Sequence, residues 1–457
     1  MLSKNRKRFV LVLLLAVSTL NFLDHQILAL LIQPIKEEFG LSDAKLGLLS
    51  GLAFAVFYCV LGIPIARWAD HGNRVNIVAL SVVIFSGMTA LFGMATNFLQ
   101  MFLCRVGVGV GEAGSTPPSH SLIANVFTLK ERPQAMAVFM MGAPIGITIG
   151  FFLAGWINEL YGWRTAFVAL GLPGILLGII VKLTLRDPRT LIADLKQASS
   201  SNAKRDFSIE ADPLQAPPLK VESPAFFYVV RTLAGLKTYR YITIALSLAY
   251  FVGYGAGQWM PAFFMRVHEI ETGELGTWLA IGSAMSAFFV WYGGYLVSRY
   301  CPHDEKLQMA LIAMHLVVLT IIACVVMILP SREIALPLYM FQLALGGMGL
   351  GPIYSVIQGL APNAMRAMAV ALLYLVINLI GMGVGPLMVG MMSDWLMPSM
   401  GDASLQAAIL CVLPLGFLGA WYFWLGSKTV NHDIAYVTSL NQKQPLQSDE
   451  AMNIEVE

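Results

Sequence analysis

Twelve apolar stretches, each long enough to cross a bilayer, run through the chain in two blocks of six, separated by a polar segment at about residues 186 to 237. A hydrocarbon core about 30 Å thick takes roughly 20 helical residues. Backbone groups in lipid must be satisfied within the segment, and these runs lack strand alternation, so each is predicted to be a helix. The spans are 9–35, 45–66, 75–96, 98–126, 134–158, 163–185, 240–265, 276–299, 307–329, 334–359, 366–392 and 404–427. Hydrophobic residues are 57% of the composition and charged ones 12%, which would leave a soluble globule with too much uncovered apolar surface. The expected fold is an all-α membrane protein with twelve transmembrane helices in two six-helix bundles. The N-terminal bundle covers 1–185, a cytoplasmic linker 186–237, the C-terminal bundle 238–427 and a tail 428–457. Linker and tail are too polar to be domains, and the tail is expected to be disordered.

Lys and Arg alternate between the two sets of connections. Lys4, Arg6, Lys7, Arg8, Arg67, Arg74, Lys130, Arg132, Arg299, Lys306, Arg366 and Lys428 fall on one set, joined by nine more between 186 and 240. The other set holds Lys36, Lys45, Arg164, Arg266 and Arg332. The positive-inside rule therefore predicts cytoplasmic termini and a cytoplasmic linker, and the membrane is expected to be a bacterial inner membrane. The basic start could also open a signal peptide, but the apolar run continues to Ile35, too long for an ordinary one. A formal net charge of +2, with cations at membrane edges, gives no nucleic-acid patch. Four of the five cysteines (Cys59, Cys104, Cys324, Cys411) lie inside spans and Cys301 in a cytoplasmic connection, so they are expected to pack rather than form disulfides or bind metal.

The halves carry an internal echo. Gly107, Gly109 and Gly111 in the fourth span are matched by Gly347, Gly349 and Gly351 in the tenth, and Ala135-Met136-Ala137-Val138 returns as Ala367-Met368-Ala369-Val370. Two homologous six-helix bundles are the expectation for a transporter that rocks about a central site. At the end of the second span, Ala66, Trp68, Ala69, Asp70, His71, Gly72 and Arg74 resemble the loop motif between helices two and three of the major facilitator superfamily. Gly294, Leu296 and Arg299 echo it, and Tyr161-Gly162-Trp163-Arg164 with Phe167, and Arg105 with Gly109, are similar to other superfamily patterns. Asn21-Phe22-Leu23-Asp24, Gly109-Val110-Gly111-Glu112-Ala113 and Asn378-Leu379-Ile380-Gly381 with Gly385-Pro386 resemble the spinster branch, whose animal members export sphingosine phosphate or lysophospholipids. That branch has arginine after the first-helix aspartate, where this chain has His25. The resemblance implies a major facilitator fold working as a monomer, with the first, fourth, seventh and tenth helices around the cavity. It also implies a cytoplasmic gate in which Asp70 meets the amino end of the eleventh helix, with Arg74, Arg132 and Arg366 nearby.

Charges inside spans mark function, because an ionised group at mid-bilayer costs several kcal/mol unless paired or facing water. Deep in the spans, away from their ends, they are Asp24, Arg105 and Glu112, joined by titratable His25, all in the first half. At about 1.5 Å per residue, Asp24 and Arg105 come to similar depths, about 20 Å above the cytoplasmic edge, and Glu112 sits about 10 Å deeper than Arg105 on nearly the same face. Asp24 is expected to be the principal proton-coupling carboxylate, with Arg105 as its partner and as the anchor of an anionic substrate. The bland alternative is a permanent structural bridge. His25 either faces the cavity edge or packs between helices, and the lone His315 is expected to pack.

Tyr250, Tyr254 and Gln258 recur every four residues along one face of the seventh span, and Tyr354 and Gln358 with Gln342 offer similar polarity from the tenth. With Asn21, they are the candidate substrate contacts, or simply packing. An apolar, aromatic cavity cationic only at Arg105 suits an amphipathic anion. Gly142, Gly146 and Gly150 with Pro144 form a small-residue face for close helix approach. No nucleotide loop, metal cluster, cofactor site or catalytic triad is evident, so the chain is not expected to be an enzyme. The function predicted is a proton-coupled secondary transporter of a small amphipathic or lysolipid-like anion. A sugar-acid or aromatic-acid proton symporter of the same fold, and a non-transporting lipid-binding membrane receptor, are the alternatives.

Overall fold

The computed structural model describes residues 3–187, 189, 226–301, 304–362 and 365–453, without the side chains of 63, 66, 70, 71, 350–352, 354, 355, 367 and 442–453. The described chain is helical throughout, and the twelve expected spans appear in order. The first half contains α1 (Lys4–Phe39), α2 (Asp43–Ser50), α3 (Leu52–His71), α4 (Arg74–Phe92), α5 (Phe98–Glu112), α6 (Thr116–Val126), α7 (Arg132–Met140), α8 (Gly142–Tyr161) and α9 (Trp163–Thr184). The second contains α10 (Phe226–Gly235), α11 (Lys237–His268), α12 (Thr272–Tyr300), α13 (Glu305–Ile328), α14 (Arg332–Gly346), α15 (Leu350–Gly359), α16 (Arg366–Ile377), α17 (Gly385–Met400), α18 (Ser404–Val412) and α19 (Leu415–Asn453).

Nine of the twelve spans fall in described segments long and apolar enough to cross a membrane, the eleventh and twelfth within one run, Met368–Asn441. The other three are the fourth, seventh and tenth. The fourth is broken between Glu112 and Thr116, the tenth passes through a 3-10 turn at Gly347–Gly349, and the seventh is continuous but diluted by tyrosine, glycine and glutamine. Lower hydropathy marks helices that face polar neighbours rather than lipid alone.

Several spans are interrupted where the hydropathy pattern is smooth. The second breaks at Gly51, and the eleventh takes a π-helical turn at Asn378–Val384 between α16 and α17. Such turns redirect the side chains that follow and are frequent at working sites. Glycines set the closest approaches between spans. A side chain at Gly109 would run into the Phe54 carbonyl on α3, and one at Gly146 into the Thr19 carbonyl on α1.

The two halves are joined at the end away from the chain termini. There Arg266 on α11 donates two hydrogen bonds to Asp43 at the start of α2, at 2.9 and 2.8 Å, and Lys36 approaches the same carboxylate at 2.6 Å. Ser393 on α17 donates to Asp43 at 2.6 Å, and Asp394 accepts from the backbone N–H groups of Asp43 and Ala44 at 2.8 Å each. Asp394 thereby caps a helix of the other half, where free N–H groups favour a carboxylate. Alongside, Trp156 on α8 donates to Thr277 on α12 at 3.0 Å, and Glu159 accepts from the Gly273 N–H at 2.7 Å. At the opposite, terminal end the N-terminal arm is tied within its own half: Arg6 donates to the Thr184 carbonyl at 2.6 Å and Lys7 pairs with Glu131 at 2.6 Å. Lys7, helped by Thr128, holds the exposed Glu131 carboxyl down to about 2.

One expectation needs correction. The tail does not become disordered after Lys428, because α19 continues to Asn453. Its continuation is anchored: Asp433 accepts from the Thr238 N–H at 2.7 Å, and Val437 is buried against α10. Within the last part of the linker, α10 forms a ten-residue amphipathic helix. Residues 190–225 of the linker lie outside the described residues.

Candidate functional site

Five helices converge on the buried charges of the first half. Asn21, Asp24 and His25 share one stretch of α1, Leu49 ends α2, Phe54 and Tyr58 stand a turn apart on α3, Thr89 lies on α4, and α5 carries Arg105 and Glu112. Asp24 and Arg105 are each 2% exposed and Glu112 is 1% exposed, so each charge needs a partner inside the protein.

Asp24 has partners on both oxygens. Arg105 Nη1 donates to Oδ2 at 2.9 Å, and Thr89 donates its hydroxyl to Oδ1. The guanidinium is further held by Nε donating to the Leu49 carbonyl at 3.4 Å and by the face of Phe54, 5.6 Å from the ring centre. The expected match between Asp24 and Arg105 is thus present, and tightly built. Glu112 is different. Its Oε2 lies 3.1 Å from His25 Nε2, while Oε1 is buried with no hydrogen-bond partner. The His25 ring stands edge-on to Phe54 at 4.5 Å, so Phe54 separates the two charge pairs while touching a member of each. Asp24 and His25, neighbours in sequence, therefore reach two points on α5 that are two turns apart.

The break after Glu112 is part of the site. Ser115 donates to the Glu112 carbonyl at 2.9 Å, and Asn21 donates to Ser115 Oγ at 3.4 Å, so a first-span side chain steadies the gap in the fourth span. Thr89, Phe54, Tyr58 and Ser115 were not singled out by the sequence. Phe54 and Tyr58 do stack at 5.3 Å, and their four-residue spacing is the signal that could have drawn attention to them.

The second half contributes a cavity of about 540 Å³. Tyr250 and Tyr254 line it from α11, their ring centres 5.8 Å apart, with Tyr339 and Gln342 from α14 and His315 and Thr320 from α13. The rest of its wall is mainly aliphatic. Gln258 does not line this cavity, and its Oε1 is buried without a hydrogen bond. Gln342 donates to the Leu319 carbonyl at 3.3 Å, whereas Gln358 is exposed. His315 thus sits on a cavity wall, its Nε2 unpartnered.

Among the expected gate residues, Arg74 is 3% exposed, its N–H bonded to Asp187 at 2.9 Å and its Nε and Nη1 without partners. Arg132 donates to the Ala124 carbonyl at 2.6 Å, and Arg366 is exposed at the start of α16. The side chains of Asp70 and Tyr354 lie outside the described residues.

Comparison with known proteins agrees with this architecture. A family model described as Major Facilitator Superfamily matches residues 14–386. An MFS-type efflux pump of Mycolicibacterium smegmatis is 30% identical over 425 residues, covering 92% of each chain. A probable L-galactonate transporter of Escherichia coli is 25% identical, over 63% of this chain and 60% of its own. Among solved structures, a bacterial homologue of the human lysosomal transporter Spinster, in an inward-facing and unoccupied conformation, superposes with a TM-score of 0.80 at 29% identity, covering 94% of this chain and 99% of that one.

Proposed function

The chain belongs to the Major Facilitator Superfamily, as an integral membrane transporter and not an enzyme, and from that premise we propose that it couples proton movement to the passage of a small amphipathic organic anion. The observation that carries the coupling is the His25–Glu112 pair: a carboxylate 1% exposed, with one oxygen on a histidine and the other on nothing. Its bare oxygen can take a proton without displacing His25 from the other. Asp24, the carboxylate first expected to carry the proton, is engaged on both oxygens, and its part in this reading is to hold Arg105.

Substrate enters this scheme through Arg105. An anionic headgroup bound at Arg105 brings a negative charge within two helical turns of Glu112, which favours the protonated form of that carboxylate and so links occupancy to protonation. The apolar and aromatic cavity of the second half suits the uncharged part of such a molecule. The bonds between the halves at the Asp43–Arg266 end support a form closed there, with access from the end bearing the termini. In the bilayer, charge distribution favours the cytoplasm for that end, similarity to bacterial relatives supports a bacterial inner membrane, and the protein works as a monomer in this reading. Similarity to the mycobacterial efflux pump supports export as the direction.

Proteoliposomes carrying a trapped pH dye test the proposal. Adding substrate from a chemically diverse panel is expected to move protons with the parent and not with Glu112→Gln, while substrate exchange at equal concentrations persists in the variant. Full proton movement in Glu112→Gln would overturn the assignment. The second reading, a sugar-acid proton symporter, is favoured by the similarity to the L-galactonate transporter. Proton movement with sugar acids and none with amphipathic anions would select it.

A further inference from the structure

The short helix α10 is not needed for the transport scheme, yet it is built with two contrasting sides. Val229 and Leu233, four residues apart, are 0% and 1% exposed and pack against Ala361, Met365, Ala369 and Val437. Away from that stripe Phe227 and Tyr228 are 82% and 59% exposed, and Phe226, in line with the buried pair at the helix start, is 48% exposed. Beside them Arg231, Lys237 and Arg240 are all exposed, the last two on one face of α11. From Phe226 to His268 there is no Asp or Glu to balance them. Asp433 on α19, packed at the start of α11, is committed to the Thr238 N–H.

Only Leu236 separates α10 from the membrane-crossing α11, so the short helix must sit at the level where that span leaves the hydrocarbon. Aromatic rings are favoured at this depth, and Lys and Arg there are attracted to acidic headgroups. An amphipathic helix with aromatics on one side and cations beside them fits a lipid surface. We propose that α10 is a membrane-surface anchor, with Phe227 and Tyr228 set into the headgroup boundary and Arg231, Lys237 and Arg240 holding anionic lipid. Its buried face rests on Ala361, Met365 and Ala369, which lead into the eleventh span, so bound lipid braces the terminal end of that span.

Hydrogen–deuterium exchange of the full chain in nanodiscs tests this without any substrate, so the outcome is independent of the transport reading. Phosphatidylglycerol added to phosphatidylcholine is expected to slow amide exchange across residues 226–240 by at least about fivefold. The combined variant Arg231→Gln, Lys237→Gln and Arg240→Gln is expected to lose that lipid dependence while exchange in α4 and α13 stays as in the parent. Arg231→Gln alone, which leaves α11 untouched, is expected to reduce it. Equal exchange in the two bilayers would overturn the proposal, as would a lipid effect that survives in the combined variant. The second result would mean that the helix docks on something other than acidic headgroups.

Discussion

Asp24 is held by Arg105 on one oxygen and Thr89 on the other, and removing its charge strands a guanidinium that is 2% exposed. Breaking one side of a buried pair costs about 3–5 kcal/mol, whereas removing both sides costs much less. Asp24→Asn is therefore predicted to lower thermal stability in detergent clearly, and Asp24→Asn with Arg105→Gln to recover part of the loss. A double variant whose loss equals the sum of the two single losses would show that the pair is not coupled. These charges could be read from sequence because Asp, Arg and Glu stand out inside apolar runs. Their partners could not: Thr89, Phe54 and Ser115 are ordinary residues for a membrane helix, and only three-dimensional packing brings them to the charges. The same limit applies to His25, whose position on α1 left its direction open until Glu112 was seen 3.1 Å away.

At the level of helices, hydropathy located every span but not the breaks inside them. A sliding average is blind to one glycine, so the interruption at Gly51, the gap after Glu112 and the π-helical turn at Asn378–Val384 carry no hydropathy signature. The fate of the tail was hidden for a related reason. Its polar composition reads as disorder, and what keeps it helical is the docking of Asp433 and Val437 against the start of the second half. The glycines of the fourth and fifth spans were legible as close-packing residues, and their role can be tested. Gly109→Ala places a methyl group against the backbone of Phe54, for which an overpacking cost of about 1–3 kcal/mol is predicted. Gly62→Ala, in open space on α3, is predicted to be neutral or slightly stabilising, since alanine favours a helix. Parallel thermal melts of the two variants check this, and equal melting temperatures would remove the packing argument for Gly109.

Across the whole molecule, Asp43 ties three segments together: Lys36 at the end of α1, Arg266 on α11 and Ser393 on α17. Asp43→Asn keeps the shape of the side chain but loses two ionic partners. It is predicted to shift the protein towards forms open at that end, lengthening spin-label distances between the outer ends of the second and eleventh spans. An unchanged distance distribution would mean that helix packing alone sets the state. The four charged residues clustered around Asp43 also divide evenly. Lys36 and Asp43 stay with the first half when the halves part, Arg266 and Asp394 with the second, so each half carries away one positive and one negative group. Membrane voltage acts on a transition only through the net charge moved across the field, about 2.3 kcal/mol per charge per 100 mV. This cluster is therefore electrically silent. In the absence of substrate and of a pH gradient, parting it is predicted to add no capacitive current in a planar bilayer, and any voltage dependence of turnover belongs to the proton, the anion being carried and charges outside the cluster such as Glu159, which accepts from the Gly273 N–H across the same joint.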